Sequence, residues 1–184
     1  LTIAGSDSSG GAGIQADIKT MSALGVYGMS AITAITAQNT TGVSAIQGVA
    51  PKVVAAQVDM VCADIPPLAT KTGMLYSAEI ITEVADALAR NNVRNLIIDP
   101  VMVATSGAQL IDDTAIDTLV NKLFPLAMLI TPNTAEALRL TDTVDVTLQA
   151  KRLRGMGVKN ILLKGGDSER TDIKIDYLSL EGSD

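Results

Sequence analysis

Thr2-Ile3-Ala4-Gly5-Ser6-Asp7-Ser8-Ser9-Gly10-Gly11-Ala12-Gly13-Ile14-Gln15-Ala16-Asp17 stands at the front of the chain and changes character twice. Leu1–Ala4 is a short apolar run and reads as a strand. Gly5–Gly11 is a Gly/Ser-rich loop. Ile14, Ile18 and Met21 then recur at helical spacing, and Gly25 ends the segment. Strand, loop and helix in that order open a parallel α/β unit, because a helix is needed to return the chain to the next parallel strand.

The alternation continues outward. Ser30–Ala37 and Val43–Val49 read as strands. Pro51 occupies the first position of a helix that places Val54, Val58 and Val61 on one face. Ala69–Thr72 is a short strand, and Ser77 is suited to cap a helix with Ile80, Ile81, Val84 and Leu88 facing inward. Leu96–Ile98 follows as an apolar strand. Asp112 and Asp113 open a helix carrying Ile116, Leu119, Val120 and Leu123, and Ala127–Ile130 is the next strand. Asn133–Leu140 and Thr147–Arg154 are expected helices, the second ended by Gly155 and Gly157. Asn160–Leu163 and Tyr177–Leu180 complete the set of strands. The expectation is a single α/β domain over residues 1–184, three-layered, with a mostly parallel central sheet and helices on both faces.

Composition narrows the chemistry. The chain has 184 residues, 20 Asp plus Glu against 14 Lys plus Arg, and a formal charge of −6. No field or basic run attracts nucleic acid. With four aromatic residues (Tyr27, Tyr76, Phe124 and Tyr177), the core must be aliphatic. The single cysteine, Cys62, excludes an intrachain disulfide and multi-Cys zinc sites, and agrees with a reducing compartment. The lack of histidine removes imidazole-based metal sites and Ser–His or Cys–His nucleophile pairs. No apolar stretch is long enough to span a bilayer, and no basic region followed by an apolar core opens the chain. The expected location is cytoplasmic, with no membrane partner. Because Leu1 already belongs to a strand, the natural start is expected to lie before it.

In open parallel sheets ligands sit beyond the carboxyl ends of the strands. The residues leaving the expected strands are Gly5, Ser6 and Asp7; Thr36, Gln38 and Asn39; Lys71 and Thr72; Asp99; Thr131 and Asn133; and Lys164, Gly165 and Gly166. Lysines, carboxylates, amides and glycine backbone suit an anionic, hydrogen-bonding ligand. Metal-assisted phosphoryl transfer fits them, since it demands mainly positioning and charge neutralisation. The glycine loop itself is open to three readings. It is not a phosphate-binding Walker loop, because Gly11-Ala12 stand where Lys-Ser/Thr would be. Gly11-Ala12-Gly13-Ile14-Gln15-Ala16 matches a loose dinucleotide pattern, yet its glycines start well after Ala4 and the next strand offers no acidic residue for a ribose. The other readings are glycines that serve turn geometry, and a loop whose backbone packs on a small polar substrate.

The opening block closely resembles that of the hydroxymethylpyrimidine/phosphomethylpyrimidine kinases of thiamin biosynthesis. So do Thr36-Ala37-Gln38-Asn39-Thr40, Lys71-Thr72-Gly73-Met74-Leu75, Asp99-Pro100-Val101-Met102-Val103-Ala104, Thr131-Pro132-Asn133 with Glu136, and Lys164-Gly165-Gly166. These six blocks, in the family's order, cover nearly the whole chain. The resemblance implies a ribokinase-like fold and ATP-dependent phosphorylation of 4-amino-5-hydroxymethyl-2-methylpyrimidine and then of its monophosphate. It implies ATP and Mg²⁺ as cofactors and a homodimer. Alternatives are a pyridoxal-type vitamin kinase and a non-catalytic pyrimidine-binding sensor.

On matched positions the resemblance implies that Gly5, Ala12, Asp17, Gln38, Met74 and Val101 bind substrate. Gln38 offers a donor and an acceptor to a pyrimidine edge, Asp17 takes the exocyclic amine or positions the hydroxymethyl arm, and Ala12 leaves the ring room. Met74 and Val101 form apolar walls. Asn133 and Lys164 serve the nucleotide, and Asp99 and Glu136 the metal. Each residue also has a plainer reading. Asp17 suits a solvated helix face, Gln38 a turn with Asn39, Met74 and Val101 the core, Asn133 with Glu136 a capping box, and Lys164 an ordinary strand end.

Two departures from the family pattern stand out. No Gly-Thr-Gly-Cys segment is present, so no catalytic residue is visible. The sequence as given is expected to be C-terminally incomplete and nearly inactive, and to leave part of the sheet uncovered. The connection between Leu140 and Lys151 is also shorter than usual; it is either a short loop or one from which residues have been dropped.

Overall fold

In the computed structural model, residues 1–102, 113–165 and 173–182 are described. Val103, Ala104, Asp112 and Gly166, which the sequence reading used, lie outside them. An eight-stranded sheet runs in the order β3-β2-β1-β4-β5-β6-β7-β8. Its strands are β1 (Thr2–Asp7), β2 (Ser30–Asn39), β3 (Gly42–Gly48), β4 (Thr70–Thr72), β5 (Leu96–Ile98), β6 (Leu129–Ile130), β7 (Ile161–Leu163) and β8 (Tyr177–Ser179). All neighbouring pairs are parallel except the two outermost, β2 with β3 and β7 with β8.

The helices are α1 (Gly13–Ala23), α2 (Pro51–Asp64), α3 (Ala78–Arg90), α4 (Asp113–Thr118), α5 (Thr134–Thr141) and α6 (Val146–Gly155). α1, which returns the chain from β1 to β2, covers one face of the sheet, and the helices between β4, β5 and β6 cover the other, as the two opposite directions of strand order require for crossovers of one hand. Successive β1 residues show the two environments. Thr2 points toward α1 and bonds Asp17, whereas Ile3 enters the main core with Val54, Ile80, Ile81 and Val84. That core continues through Leu96, Ile98, Phe124, Ile130, Leu153 and Ile161, all essentially without solvent contact. On the α1 face, Ile97, Leu129, Leu162 and Leu178 are less covered, and Leu178 is 55% exposed.

Local chemistry explains the element ends. Ser77 accepts from the Ile80 N–H and caps α3, as its sequence position suggests. Asn133 and Glu136 form a full capping box at α5: the Glu136 N–H donates to Asn133 Oδ1 at 2.8 Å, and the Asn133 N–H donates to Glu136 Oε2 at 2.9 Å. Asp142, in the left-handed region, ends α5, and Asp145 caps α6 by accepting from the Leu148 N–H, which closes the short connection before Lys151.

Several boundaries differ from the sequence expectation. β1 extends to Asp7, because Ser6 and Asp7 still pair with Ile35 and Thr36. The expected strand Ala127–Ile130 is only Leu129–Ile130, since Ala127 closes a 3₁₀ turn over Phe124–Leu126 around Pro125. The helix expected to run through Leu123 is α-helical only to Thr118 and then widens into a π-helical turn, Leu119–Leu123, which still buries Leu119 and Leu123.

Phe124 is fully buried, whereas Leu68 is 91% exposed. Phe124→Ala should lower unfolding stability in urea by about 3–5 kcal/mol. Leu68→Ala should stay within about 0.5 kcal/mol of the parent. Equal losses would contradict the described core.

Candidate functional site

The parallel strands end on a common edge, so their loops converge. Strand order reverses at β1, whose chain goes to β2 on one side while β4 follows on the other, and this opens a crevice at the strand ends. A cavity of about 340 Å³ lies there. Gly5, Ala12, Asp17, Gln38, Met74 and Val101, expected for substrate, line it together with Asn133, Lys164, Asp99 and Glu136. The structure thus brings all ten sequence-selected residues to one cleft, with Gln38 and Lys164 opening onto the same space. Asp7, Ser6, Thr36 and Lys71 also line it and were named only as strand-end residues.

The glycine loop is folded around Asp7. Its carboxylate accepts from the Ser9 N–H and hydroxyl at 2.8 Å, from the Gly11 N–H at 3.0 Å and from the Ala12 N–H at 2.8 Å. These N–H groups are those that a phosphate-binding loop would leave open, and here an internal carboxylate has taken them. The dinucleotide reading of Gly11–Ala16 therefore loses its physical basis, although the glycines stand closer to the end of β1 than the sequence suggested. Gly13, at φ +56°, brings its α-carbon against the Gly5 carbonyl, where a side chain would collide with backbone. Gln15 adds two ties, accepting from the Asp7 N–H and donating to Ser6 Oγ.

Gly5 leaves the space that the end of the Met74 side chain occupies. Met74 is nearly buried, and its carbonyl accepts from the Thr33 hydroxyl at 2.7 Å, so it is both core and cavity wall. On the pyrimidine side expected from the sequence, Gln38 Oε1 is 3.3 Å from Thr36 Oγ1, and Ser8 Oγ accepts from the Gln38 N–H.

Two ion pairs stand in the cleft. Lys71 Nζ is 3.0 Å from Asp17 Oδ2, and Lys164 Nζ is 2.8 Å from Asp99 Oδ1, which also accepts from the Thr131 hydroxyl. Asn133 and Lys164 are joined across the ends of β6 and β7 by a parallel bridge. Glu136 is buried at the same end. Burial pushes its carboxyl pKa up; the Asn133 N–H pulls it down, the Asp99 charge pushes it further up, and Lys164 opposes that. Asp99 and Glu136 are hard oxygen donors, but the described residues contain no cluster of three potential metal-ligating side chains. The set fits a hard divalent cation that keeps most of its coordination for water and ligand oxygens, not a dedicated protein cage.

In sequence and in fold the chain is similar to known proteins. Its fold is the ribokinase-like α/β class. A family model described as phosphomethylpyrimidine kinase matches residues 7–184, and the chain belongs to that family. It is 55% identical over 171 residues to the thiamine biosynthesis bifunctional protein ThiED of Geobacter sulfurreducens, an alignment covering 90% of this chain and 35% of that protein. It is 49% identical over 175 residues to the hydroxymethylpyrimidine/phosphomethylpyrimidine kinase of Salmonella typhimurium, covering 92% and 66%. The chain therefore spans about a third of the first relative and just under two thirds of the second. Among solved structures, phosphomethylpyrimidine kinase from Clostridium difficile superimposes with a TM-score of 0.86 at 44% identity, covering 98% of this chain and 83% of that one. A Bacillus subtilis pyridoxal kinase, solved with ADP, gives 0.87 at 34% identity, covering 100% and 72%.

The Asp7 clasp predicts a pH dependence. Burial alone would raise the Asp7 pKa, but the bonds from Ser9, Ala12 and Gly11 outweigh it and hold the carboxyl below its ordinary value. A depressed folded pKa gives stability that is present above the unfolded value and lost as pH falls through the folded one. Asp7→Ala should therefore remove part of the acid-side loss seen below about pH 4 and lower stability at neutral pH. Urea unfolding from pH 7 to pH 2 checks both, and a parallel stability profile for parent and variant would contradict the clasp. Glu136 has the opposite sign. Its raised pKa means that stability rises as pH falls through that value toward the ordinary carboxyl range, and Glu136→Gln should flatten this part of the profile while keeping an acceptor for the Asn133 N–H.

Proposed function

We propose that the cleft binds 4-amino-5-hydroxymethyl-2-methylpyrimidine and ATP and serves transfer of the γ-phosphoryl group to the hydroxymethyl oxygen, then to the resulting monophosphate. In the first step the hydroxymethyl oxygen bonds to the γ-phosphorus while the bond from that phosphorus to the β–γ bridging oxygen breaks. ADP leaves and the hydroxyl proton is released. In the second, a phosphate oxygen of the monophosphate attacks a second γ-phosphorus in the same way. The observation that carries the reading is a single cavity with two chemical ends. The end beside β1, β2 and β4 has Gln38, Asp17 and Met74, suited to a flat heterocycle with polar edges, and Val101, after β5, stands between the two ends. The other end has Lys164, Asn133, Asp99 and Glu136, suited to phosphate oxygens and a cation.

Each side chain has a physical task in this scheme. Gln38 meets a ring edge with a donor and an acceptor, while Met74 and Val101 exclude water from the ring faces. Lys164 exchanges its Asp99 contact for a phosphate oxygen, and Asp99 and Glu136 hold the cation. Mg²⁺, when bound, would neutralise charge developing on the phosphate oxygens.

ADP and AMP-PCP complexes of pyridoxal kinases among the similar structures support a nucleotide in this cleft. They also favour pyridoxal as the second substrate reading. Identity near 50% to pyrimidine kinases, against 32–34% to pyridoxal kinases, ranks the pyrimidine first. The homodimer and the cytoplasmic location stay with this proposal; no described helix is long and apolar enough to cross a membrane. The test is phosphoryl transfer from ATP by the full-length protein, followed by phosphorus NMR. Pyrimidine monophosphate and then diphosphate are expected. Turnover of pyridoxal alone would overturn the substrate, and tight pyrimidine binding without turnover would favour a sensor.

A further inference from the structure

Lys71 has no assigned task in that scheme, yet it makes one of the two ion pairs in the cleft. Its ammonium lies 3.0 Å from Asp17 Oδ2 and 3.1 Å from Oδ1, so it bridges both carboxylate oxygens. The Thr2 hydroxyl donates to Oδ2 at 2.5 Å. Thr2 and Lys71 are register partners on β1 and β4, so the sheet itself presents both donors side by side beneath α1. Gly73 stands two residues beyond Lys71 on the same face. A β-carbon there would lie 3.1 Å from Lys71 Nζ and 3.1 Å from the Ala4 β-carbon, tighter than ordinary packing. The Lys-Thr-Gly sequence thus leaves room for the ammonium where it must sit to reach Asp17.

We propose that Lys71, with Thr2, is a positioning residue that holds the Asp17 carboxylate as the acceptor reading the exocyclic amine of the ligand. The inference rests on the pyrimidine reading above and adds a determinant of its specificity. A carboxylate has about four acceptor positions. The contacts from Thr2 and Lys71 come from the sheet side, and Asp17 offers the remainder to the cavity it lines. Freed of these two donors, Asp17 on its helix would turn among rotamers and lose the fixed direction on which discrimination depends.

The test is calorimetric binding of 4-amino-5-hydroxymethyl-2-methylpyrimidine and its 4-desamino analogue to the full-length protein. Parent, Asp17→Ala, Lys71→Met and the double variant are compared. The parent should prefer the amino ligand. Both single variants should shrink that preference by about tenfold or more, as expected for a lost hydrogen bond to a charged group. The double variant should show no further loss beyond Asp17→Ala, because Lys71 acts through Asp17. Thr2→Val, isosteric and lacking only the hydroxyl, should move the preference in the same direction by less, and carries the test if Lys71→Met does not fold. An unchanged preference in Lys71→Met, or in Thr2→Val where that variant must substitute, overturns the inference. So do multiplying losses in the double variant, which would show Lys71 touching the ligand itself. In those cases the pyrimidine reading survives. A parent that binds neither pyrimidine overturns that reading and this inference with it.

Discussion

Six strands that share one direction dominate this molecule, because a parallel sheet gathers every strand's carboxyl end on one rim. Side chains from β1, β2, β4, β5, β6 and β7, separated by more than a hundred positions in the chain, meet there without any local motif holding them. The aliphatic core enforces the arrangement. Ile3, Ile98, Ile130 and Ile161 are fully buried on β1, β5, β6 and β7, so slipping any of these strands by one residue would turn a buried side chain toward the opposite face. The cleft is therefore a by-product of the packing that stabilises the fold, and its position follows from where the strand order reverses.

Polar groups at the rim are organised in pairs and clasps. Asp7 gathers the glycine loop, Lys71 and Thr2 hold Asp17, and Lys164 and Thr131 hold Asp99. Glu136 is tied to the start of α5 by the capping box while facing the same space as Asp99 and Lys164. In that residue the bonds that start the helix also aim a carboxylate into the cavity.

Much of this was legible from residue order. Alternating short aliphatic runs and helical faces announced the parallel sheet, and Ser77 and Asn133 with Glu136 announced their caps by type and spacing. Polar residues at the expected strand ends mark the rim, and the ten residues that the family resemblance singles out, five of them outside that strand-end set, all line one cavity. Less visible were effects that depend on the chain folding back. Nothing local marks Asp7 as the centre of its loop, since its partners gather only when the loop turns around it. The Thr2–Lys71 pairing exists only through sheet register between distant strands, so neither residue hints at Asp17. Strand ends were also misjudged where pairing, not hydrophobicity, extends them: Ser6 and Asp7 are polar yet remain in β1 because β2 continues beside them.

The self-satisfied glycine loop has a thermodynamic corollary. The Ser9, Gly10, Gly11 and Ala12 donors are engaged before anything enters, so the cavity wall at Ala12 is already set. Little chain freedom is then surrendered on association, and heat capacity changes should track the apolar area covered on the guest instead of segments freezing into place.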